Sequence, residues 1–348
     1  MAVAQGKQNV GTTGVARLQN KPKGESLWFD AWKRLRRNKL AVVGAIIIIL
    51  NILMAIFANQ IAPQGYADQV LADNNAAPVW VTKIFPNMVA KEDGGYVTIS
   101  NRYLLGADPL GRDLLSRIIY GSRVSLLVAF IGPLVSLIVG ITFGLISGYL
   151  GGRVDNLMMR FVDIMYAFPT LLLIILLMAF FRSSFSQMQP GSFAYVVGQL
   201  DNSMGGMLFI FIGVGITSWM GLARLVRGQI LSVREKEFVE AARSLGVSTR
   251  GIMFRHMLPN ILGPVIVSET LTIPTYISYE AFLSFIGLGV NPPTPSWGAM
   301  ISDASRSIST YPNQAIFPAI ALFLIMFAFN FLGDGLRDAL DPRMRGVD

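Results

Sequence analysis

The sequence predicts an all-α integral membrane protein with six transmembrane helices and both termini on the cytoplasmic face. Three observations carry this. Only 14% of the 348 residues are charged while 53% are hydrophobic, against roughly a quarter charged in a soluble domain. The apolar residues gather in six windows of about 20 residues, the length that crosses a bilayer. These are residues 40–59, 124–149, 160–181, 207–226, 261–286 and 314–333. Finally, 21 of the 29 Lys and Arg residues fall on the side of the termini, and basic residues mark the cytoplasmic side.

Residues 1–25 are rich in Gly, Gln, Thr and Lys without an apolar period, and read as a disordered tail. They are not a signal peptide, because the apolar run starts only at Leu40 and is too long for one. In residues 26–39, Ser26 can cap a helix on which Trp28, Trp32 and Leu35 share an edge. Lys33, Arg34, Arg36, Arg37 and Lys39 accompany them, which suits an amphipathic helix lying on the membrane surface. The alternative is a merely basic flank that orients the first span, 40–59.

Residues 60–123 form an extracytoplasmic segment of mixed charge, and residues 124–345 a core of five spans. The second span carries Ser136, Gly140, Gly144, Gly148 and Gly152, each four residues apart. On a helix they form a smooth stripe along which another helix can approach closely. Pro169 in the third span and Pro264 and Pro274 in the fifth are tolerated where neighbouring helices satisfy the freed carbonyls.

Three acids sit inside apolar windows. Asp163 follows Arg160 by three residues, which suggests a structural ion pair. Glu269 and Glu280 lie deeper. An acid at mid-bilayer faces a pathway or bonds to a neighbouring helix, and both readings stand for these two.

The connection 227–260 is the longest cytoplasmic one. A helix over Glu235–Leu245 places Phe238, Ala241, Ala242 and Leu245 on one apolar stripe. Gly246 supplies a left-handed stop, Ser248 starts a second helix, and Leu258-Pro259 ends it before the fifth span. The result is a helical hairpin whose stripe seeks another protein or the membrane surface, unless it folds back on its own bundle.

These residues also resemble a known family. Glu240-Ala241-Ala242, with Gly246 and Leu258-Pro259, resembles the EAA loop of ABC-importer permeases. Leu105-Gly106-Ala107-Asp108-Pro109-Leu110-Gly111-Arg112-Asp113 resembles the LGTDxxGRD signature of dipeptide, oligopeptide and nickel permeases, with Ala107 in place of threonine. Pro292-Pro293-Thr294-Pro295-Ser296-Trp297-Gly298 and the run from Gly333 to Arg343 resemble two further motifs of that family. Motif order and span count resemble its C-type subunit over about residues 27–345.

The resemblance implies an ABC type I importer permease bundle in a bacterial inner membrane. Such a subunit pairs with a homologous second permease and forms half of the pathway for di- or oligopeptides. Two ATPase subunits, which bind ATP and Mg, dock from the cytoplasm, and an extracytoplasmic binding protein delivers the cargo. Phe238, Glu240, Ala241, Ala242, Leu245, Gly246, Leu258 and Pro259 would then couple the ATPases to the spans.

The residues agree that this chain carries no energy source. It has no Gly-x-x-x-x-Gly-Lys-Ser/Thr loop; its Gly6-Lys7 pair lies in the tail. With His256 as the single histidine and no cysteine, no metal site is expected. A membrane-embedded enzyme would need a catalytic pair at matching depth, and none is found. A proton-coupled carrier using Glu269 or Glu280 would usually show internal repeats, which are also lacking. Nucleic-acid binding is not expected, because the basic residues hug span ends and form no single face. The partners expected are the bilayer and the other transporter subunits.

Overall fold

Long apolar helices, two of them widened by a π-helical stretch and one broken at a proline, pack side by side and leave polar structure at both ends. The computed structural model describes residues 27–185 and 191–341. The expected tail 1–25, Ser26, Arg343 and Arg345 lie outside the described residues.

The main elements are α1 Leu27–Arg37, α2 Lys39–Ile56, α3 Leu114–Leu150, α4 Gly152–Tyr166, α5 Thr170–Phe185, α6 Phe193–Ser203, α7 Met207–Arg234, α8 Glu237–Ser244, α9 Thr249–Phe285, α10 Trp297–Ser305 and α11 Asn313–Leu340. Among the described residues no strand forms; three isolated β-bridges lie between α2 and α3.

Helices α2, α3, α7, α9 and α11 are each long and apolar enough to cross a bilayer. The span expected at 160–181 is not one straight helix. It is broken between α4 and α5, which meet at 78°. Pro169 has no N–H to donate and disfavours helical geometry at Phe168. Both halves of the bent pair still contact α7. Asp155 pairs with Arg227, Asp163 with Arg224, and the Phe185 ring lies 5.4 Å from that of Phe209. Counted as one broken span, it makes six.

Three other boundaries differ from the sequence reading. Helix α3 starts at Leu114, well before the apolar run, because the Asp113 carboxylate accepts from the Ser116 N–H (2.8 Å). Such a cap contributes about 1 kcal/mol. Helix α7 continues to Arg234, so the 227–260 segment begins with its last turns. Helix α9 runs straight through Leu258-Pro259. A π-helical stretch at Ile252–Met257 widens the turn, and the Leu258 N–H bonds to the Met253 carbonyl. The wider turn makes room for a proline ring that would strike the carbonyl four residues back in a regular helix.

The glycines of α3 set the central packing. A Cβ added at Gly144 would stand 2.6 Å from the Ala223 carbonyl and from the Val226 Cβ. At Gly148 it would stand 2.9 Å from the Ile230 Cβ, and at Gly140 3.0 Å from the Leu222 Cβ. These three residues bring α3 and α7 together with no α3 side chain between them. Gly152 lies beyond the end of α3 with nothing within 4 Å, so it is not part of the contact. A second close crossing joins α2 to α11, where a Cβ at Gly44 would stand 2.5 Å from the Ala328 carbonyl.

The contacts define two ends. At one, α1, the start of α2 and the last turns of α11 meet around Leu35, Ala41 and Gly335, and Arg234 donates to the carbonyls of Gly148 and Tyr149. At the other, the segment between α2 and α3 folds into a cap over α10 and the first turn of α11. Ala77, Val81, Met88 and Val97 form its core against Tyr311 and Phe317.

Gly144→Leu should prevent normal packing of α3 on α7. Overpacking a core typically costs about 1–3 kcal/mol, and here the obstacle is partly backbone. Gly228, with nothing within 4 Å, is the contrast: Gly228→Ala should be neutral or stabilising by up to about 1 kcal/mol. Thermal melting of the purified protein reads both. A Gly144→Leu protein that melts like the wild type would contradict the packing.

Candidate functional site

The candidate site is the hairpin formed by α8 and the start of α9. Val239 and Ala242, one turn apart on α8, are buried against Ile252, Met253 and Met257 of α9 and Val226 and Ile230 of α7. The opposite side of α8 is open: Phe238 is 41% exposed, Leu245 is 84% exposed, and Glu240 and Ala241 are also exposed. The four-residue stripe read from the sequence is therefore split. Phe238, Ala241 and Leu245 face outward, whereas Ala242 turns inward to pair with Val239.

The turn between the helices is closed by the chain itself. The Gly246 N–H donates to Arg243 (3.0 Å) and the Val247 N–H to Ala242 (3.1 Å), the two bonds of a Schellman stop. Gly246 adopts φ +72°, a region that costs other residues roughly 1–2 kcal/mol. Ser248 then caps α9, accepting from the Gly251 N–H at 3.3 Å. Leu258 is half-buried and Pro259 exposed, both inside α9 rather than at its boundary. The hairpin is thus locked to the bundle by one face and open on the other.

Glu269 and Glu280 are enclosed between α3 and α9. Glu269 accepts from the Ser136 hydroxyl (2.9 Å) and the Tyr276 hydroxyl (2.9 Å). Glu280 accepts from Ser125 (3.2 Å) and Ser284 (2.7 Å). Both are buried within the chain. Of the two readings left open, the bond to a neighbouring helix is the one present, and neither acid lines an open surface. Ser136, read as part of the packing stripe, serves Glu269 as well.

Asp163 pairs with Arg224 at 2.6 Å, not with Arg160. The Arg224 guanidinium lies 4.1 Å from the centre of the Tyr166 ring. Asp155 receives two bonds from Arg227, at 2.5 and 2.6 Å, and one from Ser147. These partners are distant in sequence, so helical spacing alone pointed to the wrong arginine.

At the cap end, Asp108 organises the loop before α3. It accepts from the Leu110 and Arg112 N–H groups (2.9 and 3.0 Å) and from Arg112 Nε (2.6 Å). Asn313 and Gln314, at the start of α11, donate to the carbonyls of Leu105 and Ala107, both at 3.0 Å. The buried Trp297 indole donates to the Ile118 carbonyl (3.0 Å). Asn313 and Gln314 were not singled out in the sequence, although a polar pair opening an apolar window was the available signal.

Tyr103, buried in the cap, donates to Asp73 at 3.0 Å. Burial, and then the Asp73 carboxylate, push its hydroxyl from 10.0 up to about 12. The folded cap therefore holds this proton after the unfolded chain has released it. Its contribution to stability is present below pH 10 and is lost as pH rises toward about 12. Phenolate absorbance should contain a late-titrating component assigned to Tyr103, and Asp73→Asn should move that component earlier. An unchanged titration in that variant would contradict the assignment.

Comparison with known proteins places this architecture. Residues 140–346 match the family described as binding-protein-dependent transport system inner membrane component. Residues 26–78 match the N-terminal TM domain of oligopeptide transport permease C. The chain is 40% identical over 323 residues to the oligopeptide transport system permease protein OppC of Bacillus subtilis, covering 93% of this chain and 92% of that one. It is 42% identical over 322 residues to OppC of Escherichia coli K12, covering 92% and 93%. It is 37% identical over 317 residues to the dipeptide transport system permease protein DppC of Bacillus subtilis, covering 91% and 86%. An inward-facing structure of the MetNI methionine ABC transporter matches with a TM-score of 0.50 at 18% identity, over 66% of this chain and 98% of that chain, a likeness of fold. Fold and matches together define a transmembrane subunit of the type I ABC-importer class. The chain belongs to the peptide ABC-importer permeases, as a C-type subunit.

Proposed function

We propose that this chain forms half of a translocation pathway for di- or oligopeptides, driven by ATP hydrolysis on separate subunits through the α8–α9 hairpin. The observation that carries this reading is the two-sided hairpin. Val239 and Ala242 fix it to the bundle, while Phe238, Ala241 and Leu245 stand exposed on its outer side. Exposed apolar residues on a rigid projection mark a protein contact. The small Ala241 leaves room for a close-fitting groove.

The partners proposed are a homologous second permease, two ATPase subunits that bind ATP and Mg, and an extracytoplasmic binding protein. Peptide cargo is supported by the names of the similar permeases, which are oligopeptide and dipeptide systems. Closure of the ATPases would draw the docked hairpins together. Because α8 packs on the start of α9 and shares a hydrophobic core with α7, it would carry the displacement into the spans as a rigid-body change.

The uneven Lys and Arg distribution supports an inner-membrane orientation with the hairpin in the cytoplasm and the cap outside. The chain has no cysteine, so single cysteines at Ala90 and Glu240 can report sidedness. An impermeant thiol reagent should reach them from opposite faces. Labelling of both from one face would overturn the orientation.

Ala241→Asp places a charge on the outer face without touching the inner one. It should weaken ATPase association or uncouple hydrolysis from peptide uptake, while the membrane-inserted yield stays normal. Phe238→Ala, which removes contact area only, should have a smaller effect in the same direction. Normal uptake with normal ATPase association in Ala241→Asp would remove the hairpin from the mechanism.

A further inference from the structure

The structure assigns the break between α4 and α5, with the Asp163–Arg224 pair beside it, to the wall of the translocation pathway as a cargo contact. This rests on the transport reading above and adds where the cargo touches this subunit.

Depth comes first. The 28 residues of α7 make a rod about 42 Å long at 1.5 Å per residue. The hydrocarbon layer is about 30 Å thick. Gly221 lies about 21 Å from Met207 and about 20 Å from Arg234 on the same rise. Wherever the layer falls along α7, Gly221 is inside it. Tyr166, the last residue of α4, places its hydroxyl 3.2 Å from where a Gly221 Cβ would stand. The break therefore lies at membrane depth, and so does Arg224, less than one turn further on.

Two independent features of this depth exclude lipid. The first is backbone. Ala167, Phe168 and Pro169 are exposed on the subunit, with Phe168 54% exposed. Irregular backbone at membrane depth persists only where protein buries it or it lines a water-filled cavity. The second is charge. Although paired with each other, the side chains of Asp163 and Arg224 stay 53% and 44% exposed, and a half-open ion pair at that depth is costly against hydrocarbon. A dry contact with a second permease would bury both charges, which is costly even for a pair. An aqueous pathway satisfies both features.

The chemistry of the pair suits a peptide main chain. Asp163 can accept an amide N–H or a terminal ammonium. Arg224, planar and braced on the Tyr166 ring, can donate to a carbonyl or a terminal carboxylate. Donor and acceptor side by side match the alternating polarity of a peptide backbone whatever its side chains. Such a contact accepts cargo of varied sequence.

The test uses the complete reconstituted transporter with its binding protein. Phe168→Cys should react with a small charged thiol reagent. Its rate should change several-fold between the nucleotide-free and vanadate-arrested states, and should fall in the presence of excess peptide. Asp163→Asn combined with Arg224→Gln keeps polar contacts but removes both charges. It should lower uptake severalfold for peptides of unrelated sequence while ATPase association stays intact. A Phe168→Cys that is inert in every assembled state yet reacts after denaturation would overturn the proposal, as would unchanged uptake in the double variant. The thiol arm needs no knowledge of cargo, so a transporter that does not carry peptides would fail the transport reading without deciding where the wall lies.

Discussion

The rest of the molecule depends on the close contact between α3 and α7 that three glycines of α3 allow. Gly140, Gly144 and Gly148 let the backbone of α7 settle on α3, and any larger residue would strike Leu222, Ala223, Val226 or Ile230. Once α7 is fixed, its other faces dictate the surroundings. One holds the bent pair α4–α5 through Arg224, Arg227 and Phe209. Another holds the hairpin, since Val226 and Ile230 share a core with Val239, Ala242 and Met257. In lipid no hydrophobic drive pushes helices together, so close packing and interhelical hydrogen bonds have to supply the stability.

The buried acids fit that logic. Glu269 bridges α3 and α9 through Ser136, and Glu280 does so through Ser125. Each carboxyl has hydroxyl donors on both its own helix and the neighbouring one. They therefore fix register between helices that apolar contact alone would leave free to slide. The half-exposed pair Asp163–Arg224 is of another kind, because its surroundings are open. Burial, more than the mere presence of charge in an apolar window, separates the structural acids from the accessible one.

Much of this was legible in the residues. Spans with long uninterrupted apolar runs, the glycine spacing on α3 and the left-handed position at Gly246 all follow from local rules. What the residues did not show depends on tertiary partners. Pro169 breaks its helix, whereas Pro259, directly after a π-helical stretch, lies inside an unbroken one. Ala242 faces inward because α9 packs there, although periodicity grouped it with Phe238 and Leu245. Arg224 captures Asp163 from another helix, which no spacing within α4 reveals. The early start of α3 rested on the cap at Asp113, inside a motif that was read for its family resemblance and not for its hydrogen bonds.

The central claim is that the hairpin and the bundle form one rigid lever within the subunit. Spin labels at Leu245 on the hairpin and Leu134 on α3, both exposed, measure it directly by electron–electron double resonance in the assembled transporter. The account predicts the same distance between them in the nucleotide-free and ATP-arrested states, while distances to the second permease change. A nucleotide-dependent shift in the Leu245–Leu134 distance would contradict it, because the hairpin would then swing on its own bundle instead of moving it.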